Sequence, residues 1–355
     1  ALYKDSWATS VKSRPDAVWA PLERNADYAH LAGYPAPSGS FSITAATLQW
    51  LADRNSFILD AREPITMFGL RGCGLEGTAD LTEWAQTHVL NLLTPNHVEM
   101  RCVIGAWNRA TGDIRLFKGS TVPEATLVWA SRNLGGNGGK DECNMQATGL
   151  YEYVAGSHAV TGKFPQHGVL RQPNDQNILV LRSPNNVSFD PTEATEVYDQ
   201  GFFANNFHSA CRKSGKPFFS AGCQIVAGSY EKENDATGFQ PGTRPTGAWR
   251  EFRIAIGLEE QPTAFRSDHP DKSRRFQYIL LTGLEAALFA SADPKFLEKY
   301  QSLRFGSRSA ADGNVAQLQR ELGIPPTGRF DAITAYEQVR KMNRSGSFET
   351  PILAL

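Results

Sequence analysis

From about residue 60 to residue 285 the chain runs as short apolar segments separated by Gly, Pro, Asn and Asp, and this pattern commits it to a β-rich core. The clearest instance is "HVEMRCVIGAW" followed by "DIRLF", two apolar runs joined by Asn108-Arg109-Ala110-Thr111-Gly112. Turn residues between two such runs predict a β-hairpin. Residues 64–70, 149–154, 177–181, 202–208, 218–227 and 249–256 read as further strands. Residues 41–59 and 81–93 read as helices, the first with Ser42 as its N-cap and the second ending before Pro95. The most apolar stretch, 276–290, is a core strand or helix. Its 15 residues fall short of the roughly 20 a membrane span needs, so no span is expected.

Composition changes after Ala290. Residues 291–302 have the polar, small-residue look of a linker, and "NVAQLQRELG" then carries Val315, Leu318 and Leu322 at helical spacing, with Gly323 as a stop. A second helix is expected over 332–342. With 355 residues, two or three domains are expected. The chain reads as α+β: an N-terminal arm and helix (1–60), a β-rich domain (61–290), a linker (291–302) and a small all-α unit (303–345).

Charge narrows the function classes. Lys and Arg number 36 against 37 Asp and Glu, so the basic excess of a nucleic-acid binder is missing. The Gly-rich stretch 132–140 is not a phosphate loop, because Asp141 stands where a Ser or Thr must follow Gly139-Lys140. The N-terminal residues lack the charged and apolar regions of a signal peptide. The five cysteines form no CxxC pair. Cys73 and Cys102 fall in or beside strands and are the candidate pair in an oxidising compartment.

The tail residues Leu303-Arg304-Phe305-Gly306-Ser307, Val315 to Gly323, Thr327-Gly328-Arg329-Phe330-Asp331 and Thr334 resemble the small helical peptidoglycan-binding domain of cell-wall hydrolases. Asp331 stands where that family has Gly. Leu318, Leu322, Phe330 and Val339 are expected to close its core. The resemblance implies peptidoglycan as a partner and an extracytoplasmic location, or delivery to the wall by a route without a signal peptide.

The most informative chemistry surrounds Cys223. A free thiol is mostly protonated at neutral pH and needs a base or cation to act as a nucleophile. His208 is a candidate base on the neighbouring strand, which predicts a reactive thiol of low pKa. In Ser220-Ala221-Gly222-Cys223, Gly222 clears space beside the sulfur, and the N–H groups of Gly222 and Cys223 are candidate oxyanion donors. A histidine followed 15 residues later by Ser-x-Gly-Cys resembles the L,D-transpeptidase motif. Ala221 replaces that motif's second histidine, and Gln224-Ile225 follows the cysteine. The resemblance implies a β-rich catalytic domain. It also implies acyl transfer through a thioester of Cys223 with a peptidoglycan stem peptide, at diaminopimelate. His208 is then the base and Ser220 an orienting or oxyanion-side residue. An amine acceptor gives transpeptidation; water gives carboxypeptidase or endopeptidase hydrolysis.

Around that pair, Tyr153, His158 and Asn206 are candidate cleft residues, and Arg171 is a candidate partner for a substrate carboxylate. His167 could line the cleft as well, and Cys211 ranks below Cys223 as a nucleophile. Surface or core residues with no ligand are the competing reading for each. No cofactor is expected. His158, His167, His208 and Cys223 form a conceivable zinc set, but no HExxH or close ligand spacing supports a metallopeptidase. The remaining alternative is a non-catalytic wall-binding protein on a degenerate catalytic fold. The sequence sets no oligomeric state.

Overall fold

The structure is a computed structural model. It describes residues 31, 33–125, 127–128, 143–158, 167–182, 197–210, 217–231, 233–234, 238–239, 244–258, 274–309, 314–331, 333–335 and 337–338. Strands dominate and a few helices accompany them, so the chain is mixed α and β around a β-barrel.

The chain enters through β1 (Ser40–Thr44) and helix α1 (Ala45–Arg54), then β2 (Ile65–Arg71), β3 (Cys73–Leu75) and β4 (Thr87–Leu92). The expected hairpin follows as β5 (Cys102–Asn108) and β6 (Ile114–Ser120). Asn108 Oδ1 accepts from the Ala110 N–H at 3.0 Å, and Gly112 takes φ +79°, so the turn is built as its residues predict. Next come β7 (Met145–Gln146), β8 (Gly149–His158), β9 (His167–Arg171), β10 (Ile178–Arg182), β11 (Val197–Gly201), β12 (Phe207–Ser209) and β13 (Gln224–Val226). Four two-residue strands pair off as β14 (Ser229–Tyr230) with β17 (Pro245–Thr246) and β15 (Glu233–Asn234) with β16 (Gly238–Phe239). Helix α2 (Gly247–Ala255), β18 (Arg275–Thr282) and helices α3 (Gly283–Ala290), α4 (Pro294–Lys299) and α5 (Asn314–Glu321) complete the order.

Eight strands close a barrel in the order β12-β13-β6-β5-β2-β18-β8-β9. Side chains alternate across its wall. Inward-facing Tyr153, Phe207 and Tyr278 meet edge to face, with centroids 4.6–5.8 Å apart. A polar chain also lies inside: Tyr153 OH donates to Gln146 Oε1 (2.8 Å), Gln224 Nε2 to the same oxygen (3.3 Å), and Tyr278 OH to Gln224 Oε1 (3.2 Å). Outward-facing Phe68, Leu70, Val103, Leu116, Ile279 and Leu281 form a second core with Leu48 and Leu51 of α1 and Leu284 and Leu288 of α3.

Several expected elements change type. Residues 81–93 are not helical. Thr87–Leu92 is the middle strand of the sheet β1-β4-β3, and Leu81 and Ala85 bridge to Phe117 and Ile114 of β6. Pairing on both sides outweighs a weak helical period, and Trp84 is left 37% exposed. Residues 249–256 are helical, not extended: Ala248, Trp249, Phe252 and Ala255 are buried at helical spacing, while Ile254 faces solvent. α1 starts later than expected. Its N-cap is Thr44, with a capping box to Thr47, and Ser42 lies in β1. The run 276–290 resolves into both options, strand then helix, divided at the Thr282–Glu285 capping box.

Residues 291–302 are not a free linker. They contain α4, capped by Asp293, and bury Phe296 and Tyr300 against Trp50 at ring distances of 5.4 Å. The residues after it also pack on the barrel. Leu150 N–H donates to Phe305 O (2.8 Å), Phe305 stacks on Tyr151 (5.0 Å), and fully buried Arg304 meets fully buried Glu285 at 2.9 Å. In the tail, Val315, Leu318, Phe330 and Ala335 are buried and Leu322 partly so, while Val339 lies outside the described residues. Gln319 ties α5 to the following turn, donating to Thr334 Oγ1 and Arg329 O and accepting from the Gly328 N–H. Asp331 caps the next helical turn, accepting from Thr334 N–H at 3.0 Å. Cys73, Cys102, Cys143 and Cys223 are free thiols, so the candidate pair Cys73 and Cys102 is not bonded here. No helix among the described residues is long and apolar enough to cross a membrane.

Candidate active site

Cys223 stands one residue before β13, which runs parallel to β12. The Gln224 N–H donates to Asn206 O (2.8 Å). In a regular parallel ladder the Asn206 N–H would next reach the carbonyl of residue 222. Here it donates to Cys223 Sγ instead, at 3.3 Å. The sulfur thus occupies a position in the ladder where a backbone acceptor would stand. Ala204 O lies 3.9 Å from Sγ, and Ala204 holds φ +55°, a left-handed conformation that L-residues rarely adopt. Residues 204–206 thus wrap the thiol.

The turn before Cys223 is closed by Ser220. Its Oγ donates to Cys223 O (2.8 Å) and accepts from the Gly222 N–H (3.0 Å), and its carbonyl accepts from the Glu124 N–H (2.7 Å). Ser220 therefore orients the turn. The Gly222 N–H, expected as an oxyanion donor, is committed to it. Gly222 has a steric reason too: a Cβ there would sit 2.5 Å from Asn144 Oδ1 and 2.9 Å from Asn144 Nδ2. The Asn144 carboxamide lies against the glycine. Asn205 Nδ2 fixes it by donating to Asn144 Oδ1 (2.8 Å), and the Asn144 N–H donates to Ala221 O (2.8 Å).

His208 pairs with Ile225, two residues along the parallel register from the position facing Cys223. Strand geometry puts the two Cα atoms roughly 8 Å apart. His208 Nδ1 lies 2.7 Å from Ser209 O, so Nδ1 donates to that carbonyl and Nε2 is the ring nitrogen left to act as a base. The thiol is not of low pKa. Burial pushes Cys223 up to about 11, with the Asn206 N–H pulling the other way.

The remaining sequence candidates separate. Asn206 contributes its backbone N–H to the sulfur. Arg171 belongs to the same row: β9 pairs Leu170 with Phe207, and one step further sets Arg171 opposite Asn206. Arg171 is half-buried and lies over Gly156. Tyr153 is not a cleft residue. It is 1% exposed inside the barrel, where burial and the nearby Cys223 sulfur raise its pKa while the bond to Gln146 opposes the shift. His158 and His167 are register partners at the end of the β8–β9 hairpin, and their side chains, like Cys211, lie outside the described residues.

Sequence reasoning missed Asn144, Asn205 and the strained Ala204. The two asparagines are 61 positions apart, and nothing local in the sequence pairs them. The exposed rings of Phe202 and Phe219 lie two residues before Ala204 and one before Ser220. Among the described residues no group of three or more His, Cys, Asp and Glu side chains comes together to hold a metal ion. No protein-family model, no curated protein and no solved structure matches the chain.

Proposed function

We propose that the protein is a cysteine acyl-transfer enzyme acting on peptidoglycan stem peptides. The observation that carries this reading is a partly exposed thiol held by a left-handed loop residue and a backbone N–H, one strand away from a histidine whose Nδ1 donates to a backbone carbonyl. In the first step Cys223 Sγ attacks the scissile carbonyl carbon and the thiol proton passes to His208 Nε2. An S–C bond forms and charge moves to the carbonyl oxygen. On collapse the C–N bond breaks, and the leaving amine takes the proton from His208. An incoming amine or water then attacks the thioester, the C–S bond breaks, and the sulfur recovers a proton. Arg171 is suited to pair with a carboxylate of the stem peptide.

The finer architecture belongs to the same proposal. The barrel serves as an L,D-transpeptidase-like catalytic domain. Residues 303–345 serve as a peptidoglycan-binding unit, in which Gln319 and Asp331 brace the turn. The site of action is the cell wall, outside the cytoplasm.

The raised thiol pKa favours a second reading, a wall-binding protein whose catalytic centre is no longer used. Chromatography of purified peptidoglycan after incubation with the protein, with Cys223→Ala beside it, separates the two. Cleaved or exchanged stem peptides with the wild type alone support the enzyme. Unchanged peptidoglycan, with both proteins pelleting on it, supports the binding protein.

A further inference from the structure

We infer that Arg171 determines the specificity of this site by selecting acyl donors with a free carboxylate six or seven bonds from the scissile carbonyl carbon. The inference rests on Cys223 being the nucleophile proposed above. Strand register sets the distance. Phe207 pairs with Gln224 on one side and Leu170 on the other, so the next step aligns Cys223, Asn206 and Arg171 in one row across β13, β12 and β9. Val154 of β8 extends the row, since it pairs with Arg171. Tyr153, Phe207 and Gln224 point into the barrel. Their neighbours Val154, Asn206 and Cys223 therefore point out, and Arg171, opposite Val154 and Asn206, points out with them. Two strand spacings separate the Arg171 and Cys223 Cα atoms by roughly 10 Å. The Arg171 side chain leans on across β8: a Cβ on Gly156 would stand 2.7 Å from its Nε and 3.0 Å from its Cδ. The guanidinium thus lies roughly 10–14 Å from the sulfur.

Charge sets the ligand. Arg171 makes no ion pair and no side-chain hydrogen bond with the described residues. Arg275, which pairs with Val154 from the other side, is neutralised by Glu152 at 2.8 Å and Asp175 at 2.6 Å. Arg171, half-buried, has lost part of its hydration with no such compensation, and a carboxylate in its fork restores it. In the tetrapeptide L-Ala-γ-D-Glu-diaminopimelate-D-Ala, attacked at the diaminopimelate carbonyl, two carboxylates have the required reach. The distal carboxylate of diaminopimelate is six bonds from the scissile carbon, and the α-carboxylate of D-Glu is seven. At the extension of a peptide chain these lie about 7–9 Å from that carbon. With the C–S bond and the contact to the guanidinium added, the sulfur-to-guanidinium span is about 12–14 Å, within the reach of the row. The carboxylate of the leaving D-Ala is three bonds away and falls short.

The test is titration calorimetry on the full chain carrying Cys223→Ala, which binds without turnover. The probes are the free tetrapeptide and two forms, each amidated at one of the two carboxylates. Amidation of the carboxylate that Arg171 holds is expected to weaken binding by about 10–100-fold, and amidation of the other by no more than about twofold, which names the source. Arg171→Gln in the same chain should abolish the preference. Arg171→Lys keeps the charge without the fork and should keep part of it, and it carries the comparison if the glutamine variant fails to fold. In turnover by the protein with Cys223 intact, the same loss should appear in KM rather than kcat. Equal affinity for all three peptides overturns the inference, as does a preference that survives in Arg171→Gln. Turnover with one KM for all three forms overturns it and leaves the acyl-transfer reading standing. An Arg171-dependent preference in binding, with no turnover of any form, leaves the subsite standing and overturns the acyl-transfer reading. No binding of any form overturns both.

Discussion

The resting state of Cys223 makes a quantitative prediction that separates this site from one holding a preformed ion pair. With its pKa at about 11, the fraction of thiolate at pH 8 is about 0.001, against about 0.24 for a free thiol of pKa 8.5. Thiolates of higher pKa are more nucleophilic, with a Brønsted slope of roughly 0.45. The difference of about 2.5 units therefore returns about 13-fold. The net expectation is iodoacetamide alkylation of Cys223 at pH 8 about 20-fold slower than that of an unhindered model thiol. The rate should climb about tenfold per pH unit between pH 8 and pH 10, with no plateau. His208→Ala should leave this profile in place, because burial rather than the imidazole sets the resting pKa. Peptide mapping keeps Cys223 apart from buried Cys73, Cys102 and Cys143. A plateau reached below pH 8.5, abolished by His208→Ala, would mean a thiolate–imidazolium pair at rest and would refute the reasoning.

Three further predictions concern the base and the attachment of the tail. His208→Ala should lower turnover of stem peptides by about 10²–10⁴-fold, measured by chromatography, while alkylation is unchanged. Gly149→Ala puts a Cβ 2.6 Å from Phe305 O, where the tail meets β8, and should cost about 1–3 kcal/mol in denaturant unfolding. Arg304→Met leaves buried Glu285 without its cation and should cost about 3–5 kcal/mol by the same measurement. A loss below 1 kcal/mol there would show that Tyr300 and Thr282 suffice to hold the carboxylate.

What the sequence disclosed follows the range of the interactions. The β5–β6 hairpin was legible because Asn108 and Gly112 encode their own turn. The neighbouring of the segments that carry His208 and Cys223 was legible because only 15 residues separate the two, and β12 and β13 do lie side by side. The strand at Thr87–Leu92 was misread because its partners, β1 and β3, are fixed by the whole sheet and not by its own period. α2 was misread for the opposite reason: its aromatic, β-prone residues obscured a helical spacing that the core completes with Phe117 and Phe207. The polar look of residues 291–302 hid Phe296 and Tyr300, which bury against Trp50 from far back in the chain. The packing of Asn144 gave no signal for the same reason, since it joins Asn205 and a glycine 78 positions later.

The central claim is that Cys223 forms a thioester with a peptidoglycan stem peptide. Intact mass spectrometry of the protein, acid-quenched during incubation with isolated stem peptides, tests it directly. The account predicts a mass increase equal to the acyl fragment, mapped to Cys223 and lost in Cys223→Ala. An unmodified Cys223 at every quench time, in protein that still sediments with cell walls, would contradict it.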